Sequence, residues 1–344
     1  MKLEGKTCLI LYNAANGKPP EETAASDFDI PLNERVDVRA IRQALKENQL
    51  NVRTLGLRRI NSKTTALLEE INPDLVFNLC EMLYNHPHKS LSEIYVAGWL
   101  DLMKLPYTGS HTVSLFLSLN KARCKQILRQ ANIPVPPSIT VAVGEKPNLE
   151  SITPPFIIKP VREDGSFGIT KNSVVKKLQE VEEKVLFIHE KYNQPALVEE
   201  FIDGREFRIT MIDNPPSVLG IGEIDFSDVK TGEPKIFSYD AKWRWDKNGS
   251  NIEAKYPAEI ETSLKNRLEK IAVKSFRLLG CRDYASIDMR VSENRRPYVL
   301  EVNPNPDISM DGDFGDSCKA SGITYSGLIK NMVENTLTRG TNIV

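Results

Sequence analysis

Two apolar segments, Tyr284-Ala-Ser-Ile-Asp-Met-Arg-Val291 and Pro297-Tyr-Val-Leu-Glu-Val-Asn303, are separated by the five residues 292–296. Successive side chains of a strand face opposite sides. The pair reads as a hairpin turning through Ser292–Arg296. In such a hairpin Asp288 comes beside Glu301, and Glu301 and Asn303 point to one side at the end of an apolar strand. Carboxylates and an amide oxygen are hard donors. They suit Mg²⁺, which takes oxygen ligands and keeps phosphate oxygens in its shell. The alternative is a solvated hairpin edge with its polar residues outward.

The rest of the chain must supply the layers that such a sheet needs. It has 344 residues, 40% hydrophobic and 26% charged, enough for two or three folding units. Lys+Arg is 45 and Asp+Glu is 46. That balance argues against a protein held on nucleic acid mainly by counterion release. The longest apolar stretches, such as Leu75–Leu79 and Pro155–Ile158, fall far short of the ~20 residues of a membrane helix. The N-terminus, Met1-Lys-Leu-Glu-Gly, lacks the apolar core of a signal peptide. The five cysteines are scattered without CxxC spacing, which fits reduced thiols. The expectation is a cytoplasmic enzyme with neither a membrane nor a nucleic acid as partner.

Short apolar runs alternate with helical patterns. Cys8-Leu-Ile-Leu-Tyr12 and Asp74-Leu-Val-Phe-Asn-Leu79 read as strands, with a helix through Val38, Ile41 and Leu45 between them. Strand–helix–strand order predicts a parallel sheet. A helix from about Ser118 stops before Pro134. Residues 138–195, with a helix at Lys176–His189, read as a small lobe. From Ala196 onward, strands at Ala196–Ile202, Glu206–Ile212, Val218–Ile224, Ala285–Val291 and Pro297–Val302 predict a mostly antiparallel sheet. Helices are expected at about Glu261–Leu279 and Ser321–Leu337.

Three further segments carry chemistry. Pro155-Phe-Ile-Ile-Lys159 ends a strand on a lysine and runs into a loop with Gly165, Ser166, Phe167 and Gly168. Backbone N–H groups there can meet phosphate oxygens, although a plain Gly-Ser turn reads equally well. Ala196-Leu-Val-Glu199-Glu200-Phe201-Ile202 followed by Glu206 could hold a nucleobase on exposed backbone and a ribose on a carboxylate, or be an ordinary strand and turn. Tyr239-Asp-Ala-Lys242-Trp243 lies in a long polar stretch, about 227–258. Such stretches are often lids, the alternative being a surface loop. His86 and His88 form an H-x-H pair without a third ligand, and Cys281 reads as buried rather than reactive.

The order of these segments resembles the ATP-grasp enzymes, specifically the D-alanine–D-alanine ligase-like branch. Leu105-Pro-Tyr-Thr-Gly-Ser110 and Asn120-Lys121 come first. The strand lysine, the glycine loop, Glu-Glu-Phe-Ile…Gly-Arg-Glu, Ala-Lys-Trp, Gly280-Cys-Arg-Asp-Tyr-Ala-Ser-Ile-Asp and Leu-Glu-Val-Asn-Pro follow. The resemblance implies three lobes: an N-terminal parallel α/β domain (1–108), a small central lobe (109–195) and a C-terminal, mostly antiparallel sheet with helices (196–344). It also implies ATP between the last two lobes, and transfer of its γ-phosphate to a substrate carboxylate. Attack by an amine on the acylphosphate then follows. By position, Lys121 and Lys159 would contact phosphates, Gly165–Gly168 would cover them, and Lys242 would reach the γ-phosphate. Glu199, Glu200, Phe201 and Ile202 would hold adenine and Glu206 the ribose. Asp288, Glu301 and Asn303 would bind two Mg²⁺, or Mn²⁺. Related ligases are commonly homodimers.

The departures lie on the substrate side. Gly165 stands where the family has a loop serine, and Trp243 where it has a lid tyrosine. Ser286 stands where it has an arginine that stabilises an oxyanion, and Asp307 where it has an oxyanion-hole glycine. Arg290, two residues past Asp288, is the expected partial replacement for the arginine. Arg162, Trp243, Ser286 and Asp307 are the expected substrate-facing residues. The expectation is a ligase joining an amino acid to a small amino-, imino- or carboxylate-bearing metabolite, as an amide or an amidine, with a substrate other than D-alanine. The alternatives are a D-alanine–D-alanine ligase itself and an ATP-binding protein that has lost ligase activity.

Overall fold

The structure is a computed structural model that describes residues 2–14, 36–81, 83, 91–163, 170–230, 232–237 and 252–341. Three sheets organise it. The first contains β1 (Thr7–Asn13), β2 (Asn51–Leu57) and β3 (Leu75–Leu79), parallel in the order β2-β1-β3. The central strand β1 is apolar along most of its length because both its faces are covered. Sequence patterning did not single out β2, an edge strand whose first residues are partly exposed. Helices α1 (Val36–Glu47), α2 (Ser62–Ile71) and α3 (Ser92–Leu102) complete this part. The α2 helix starts on a capping box, with Thr64 N–H donating to Asn61 Oδ1 (3.0 Å) and Asn61 N–H to Thr64 Oγ1 (2.8 Å).

Helices α4 (Thr112–Leu119) and α5 (Lys121–Gln130) lead into the second sheet. It is built from β4 (Ser138–Val141), β5 (Phe156–Pro160), β6 (Val174–Val175) and β7 (Ala196–Glu200), antiparallel in the order β4-β7-β5-β6. Helix α6 (Leu178–Tyr192) packs Val181, Val185 and Ile188 on its apolar face. Strand β7 corrects the expected grouping. Ala196–Glu200 pairs with β4 and β5, so it belongs to the small sheet and not to the C-terminal one.

The third sheet contains β8 (Gly204–Ile212), β9 (Ser217–Ile224), β10 (Ala254–Lys255), β11 (Tyr284–Ser292) and β12 (Pro297–Asn303), antiparallel in the order β10-β9-β8-β11-β12. One face carries Phe207, Ile209, Met211, Ala285, Ile287, Met289 and Val302. It buries them against Leu264, Leu268, Ala272 and Phe276 of α7 (Thr262–Leu278) and against Cys124 and Leu128 of α5. Each such side chain contributes roughly 1.5–3 kcal/mol on burial. Helix α5, expected with the central lobe, thus packs on the C-terminal sheet.

The expected terminal helix is two helices, α8 (Asp313–Ser321) and α9 (Tyr325–Arg339). Gly322, at φ 73°, ends the first, and Thr324 Oγ1 caps the second by accepting from Gly327 N–H (3.1 Å). Leu328, Ile329, Met332 and Val333 of α9 pack with Ile10, Ile41, Leu45 and Phe77, so the end of the chain covers the first sheet. All five cysteines are buried, and burial pushes the Cys281 thiol well up, which makes it inert. No helix among the described residues is long and apolar enough to cross a membrane.

Candidate active site

The other face of the third sheet is polar. Alternation places Ser286, Asp288 and Arg290 of β11 together, opposite Thr210, Arg208 and Glu206 of β8. On the far side, Asn303 and Glu301 of β12 stand opposite Ser286 and Asp288. The hairpin therefore puts Asp288 and Glu301 directly across from each other. A register shift follows between Asp288 and Met289.

Both carboxylates are balanced by cations. Lys121 Nζ lies 2.8 Å from Glu301 Oε1 and also donates to Glu163 O. Arg208 donates Nε–H to Asp288 Oδ1 (2.8 Å) and Nη2–H to Oδ2 (3.2 Å), and its Nη1 reaches Asp313 Oδ2 (2.9 Å). Burial alone would lower the Arg208 pKa, but Asp288 and Asp313 outweigh it and hold the pKa well above its usual value. Asn303 Oδ1 accepts from Asn305 N–H (2.9 Å). Among the described residues no three His, Cys, Asp or Glu side chains gather around a common point. The set is instead two facing carboxylates and an amide. Those oxygen donors fit a hard divalent cation.

Next to them lies a buried ion cluster. Glu199 of β7 is 1% exposed at the side chain, and Lys125 of α5 contacts its Oε1 at 2.8 Å. Lys159 of β5 contacts Oε2. Lys125 also donates to Leu300 O (2.8 Å), one residue before Glu301, and so links α5 to the carboxylate-bearing strand. Burial lowers the Lys125 pKa. For Glu199 burial acts upward, yet the two ammonium groups outweigh it and keep the carboxyl below its ordinary value.

The structure places several of the expected site residues against other protein groups. The Glu199 side chain is buried against Lys125 and Lys159 and is not turned outward to a nucleobase. Glu200 Oε1 accepts from Thr153 N–H (2.7 Å) and Oγ1–H (2.8 Å), at the edge of the small sheet. The backbone N–H groups of Glu200 and Phe201 donate to Pro137 O and Pro155 O. Arg290 is not placed to replace the missing arginine. Its Nε–H and Nη2–H grip Glu206 Oε2 (2.9 and 2.6 Å), Nη1–H donates to Ile202 O (2.8 Å), and Nη2–H also reaches Lys235 O. The Phe201 ring lies 4.8 Å from its guanidinium carbon. Arg290 thus joins Ile202, Phe201 and Glu206 in one cluster, because the strand runs it away from Ser286.

Ser286 is buried at 7% exposure on the polar face. Asp307 is exposed and folds back on Ser309, accepting from its N–H (2.8 Å) and its Oγ–H (3.0 Å). The Arg162 side chain is exposed, while its N–H donates to Gln194 Oε1 (2.7 Å). Gly165, Ser166, Phe167, Gly168, Lys242 and Trp243 lie outside the described residues, as do His86 and His88.

Sequence reading missed Arg208, Lys125, Asp313 and Glu93. Arg208 follows Glu206 by two residues on one strand, and Lys125 follows Lys121 by four on one helix, so both were accessible from periodicity. Glu93 is buried and accepts from Asn305 Nδ2–H (3.1 Å), while Asn305 Oδ1 takes the Tyr284 hydroxyl (3.3 Å). No local pattern pointed to Glu93 or Asp313.

Residues 127–334 match the family model of the D-ala D-ala ligase C-terminus. The chain belongs to the D-alanine–D-alanine ligase family. As a member it is an ATP-grasp ligase, which uses ATP to form a carbon–nitrogen bond. The D-alanine–D-alanine ligase of Carboxydothermus hydrogenoformans is 31% identical over 248 residues, 69% of this chain and 75% of that one. An uncharacterized protein of Sinorhizobium fredii is 31% identical over 264 residues, 76% of this chain and 74% of that one. The crystal structure of the Bacillus anthracis D-alanine–D-alanine ligase complexed with ATP superposes with a TM-score of 0.71 at 20% identity, covering 97% of this chain and 98% of that one. This D-alanine–D-alanine ligase-like chain therefore has the family fold over nearly its whole length.

Proposed function

We propose that the protein joins an amino acid, or another small carboxylate, to an amine substrate other than D-alanine. ATP lies between the small sheet and the polar face of the third sheet. The supporting observation is that face itself: Asp288 opposite Glu301, with Lys121 beside them and Lys159 in the cluster next to them. Lys121 and Lys159 offset phosphate charge, and Asp288, Glu301 and Asn303 hold the Mg²⁺, two ions in this reading. When bound, Mg²⁺ neutralises charge on the phosphates and aligns them. The carboxylate oxygen attacks the terminal phosphorus, and the bond to ADP breaks. Three lobes, at about 1–108, 109–200 and 201–344 once β7 is moved from the expected 196–344 lobe to the central one, small-molecule carboxylate and amine partners, and a homodimer complete the reading.

Release of ADP on mixing with ATP, Mg²⁺ and a panel of amino acids tests it. No stimulation by any carboxylate–amine pair would sink it. A second reading, D-alanine–D-alanine ligase itself, is favoured by the names of the relatives and opposed by Ser286 and Asp307. Mass spectrometry after incubation with D-alanine alone separates the two.

The Arg290–Glu206 grip leads to a prediction of its own. Arg290→Lys keeps the charge but loses the two-pronged hold on Glu206. It is expected to raise the KM for ATP about tenfold with little change in kcat, the pattern of lost uniform binding. Steady-state kinetics at varied ATP decides this, and an unchanged KM would remove Glu206 from the ribose.

A further inference from the structure

We propose that Arg208 is a catalytic residue of this ligase, the guanidinium that meets the acyl oxygen beside the Asp288–Glu301 pair. The proposal rests on the carboxylate–amine ligase reading. In the second half of that reaction the amine lone pair attacks the acylphosphate carbon. The C–N bond forms and the C=O π pair moves onto oxygen. When that pair returns, the C–O bond to the phosphoryl group breaks, and phosphate leaves with the electrons and, in the end, the amine proton. The oxyanion formed in between needs a fixed donor in a shielded place.

Among the described residues, the other cations around the site are held by partners of their own. Lys125 of α5 and Lys159 of β5 are buried on Glu199. Lys121 is engaged by Glu301 and Glu163. Arg290 is held by Glu206, Ile202 O and Lys235 O. Ser286 offers only a neutral hydroxyl. Arg208 stands directly opposite Asp288, with its side chain 11% exposed.

Its fork is oriented from several sides. Asp288 on β11 and Asp313 at the start of α8 hold three of its five N–H groups among the described residues. One N–H on Nη1 and one on Nη2 remain beyond those contacts. The Phe237 ring lies 5.4 Å from the guanidinium carbon. Across β9, Gly222 pairs with Arg208, and a Cβ at Gly222 would come within 2.5 Å of the Tyr256 ring. The missing side chain seats that ring beside the arginine. Two carboxylates against one guanidinium also leave this corner net negative, which matches a place shared with a divalent cation. Arginine on β8 thereby puts a positive fork on the face where β11 has Ser286.

The test compares wild type with Arg208→Gln and Arg208→Lys. Each receives ATP, Mg²⁺ and the common D- and L-amino acids, singly and in pairs, and ADP release is measured. Binding of Mn²⁺ with AMP-PNP is followed in parallel by electron paramagnetic resonance. Arg208→Gln is expected to lose about 100-fold or more in kcat on the pair that wild type uses. Its Mn²⁺–AMP-PNP affinity should stay equal or become tighter. Arg208→Lys should recover part of the rate, since it restores charge without the fork. Wild-type kcat in Arg208→Gln overturns the proposal. So does a loss explained wholly by weaker Mn²⁺–AMP-PNP binding, because Arg208 would then only prop Asp288. If Arg208→Gln does not fold, a folded Arg208→Lys with wild-type kcat overturns it. A wild type that releases ADP with no pair defeats the ligase reading, and this proposal with it. An active wild type with an indifferent variant defeats this proposal alone.

Discussion

Glu199→Gln is expected to destabilise the protein by about 3–5 kcal/mol, the usual cost of removing one member of a buried ion cluster. Glu199 is 1% exposed, and it is the carboxylate shared by Lys125 and Lys159. Glutamine keeps the shape but leaves two ammonium groups in the protein interior. Urea unfolding at pH 7 measures the loss. The pH dependence gives a second reading. The folded pKa of Glu199 is lowered, so its stabilisation is fully present above the ordinary carboxylate pKa. That stabilisation disappears as pH falls through the lowered folded value. The wild-type and Glu199→Gln stability curves should thus diverge toward neutrality and converge in acid. A gap that stays constant with pH would show that Glu199 is not the ionised centre of the cluster.

Asp283→Asn should cost a similar amount, about 3–5 kcal/mol, for a different structural reason. Asp283 is fully buried and accepts from Arg339 Nη1–H (2.8 Å) and Nη2–H (3.0 Å), Gly109 N–H (2.8 Å) and Thr336 Oγ1–H (3.3 Å). Those donors come from the segment after the first sheet and from the last helix. Burial would lower the Arg339 pKa, but Asp283 outweighs it and raises that pKa. The asparagine variant leaves the Arg339 charge without its partner. Thermal unfolding of Asp283→Asn, Arg339→Gln and the double variant tests this. The double variant should lose clearly less than the sum of the singles, because both singles break the same contact. Additive losses would mean that the pair is not coupled.

The hairpin itself was legible, but the pairing of Asp288 with Glu301 depends on the register shift next to Asp288, since the ladder from Val291–Pro297 to Met289–Val299, continued unbroken, would set Asp288 against Leu300. Period-two alternation overreached at Arg290. It correctly put Arg290 on the face of Ser286 and Asp288, but it could not say which end of that face the guanidinium reaches. Glu206, directly opposite on β8, captures it. The surroundings of Glu199 were not legible for a related reason. A carboxylate at a strand end can face a ligand or a buried lysine, and Lys125 lies on a helix far away in sequence. Strand β7 was grouped by its sequence neighbours, whereas hydrogen bonding assigned it to β4 and β5.

The chain alone determined the local material of the site. Its alternating strands, its lysine at the end of β5, the order of its motifs and its departures at Ser286 and Asp307 are all legible there, since each depends on spacing within one element or hairpin. Tertiary structure decided which charges meet. Lys121 with Glu301, Lys125 and Lys159 with Glu199, Arg208 with Asp288 and Asp313, and Asp283 with Arg339 all join separate elements. A single charged residue carries no mark of its partner. Only packing brings the two together, and a buried charge remains stable only where that partner is present.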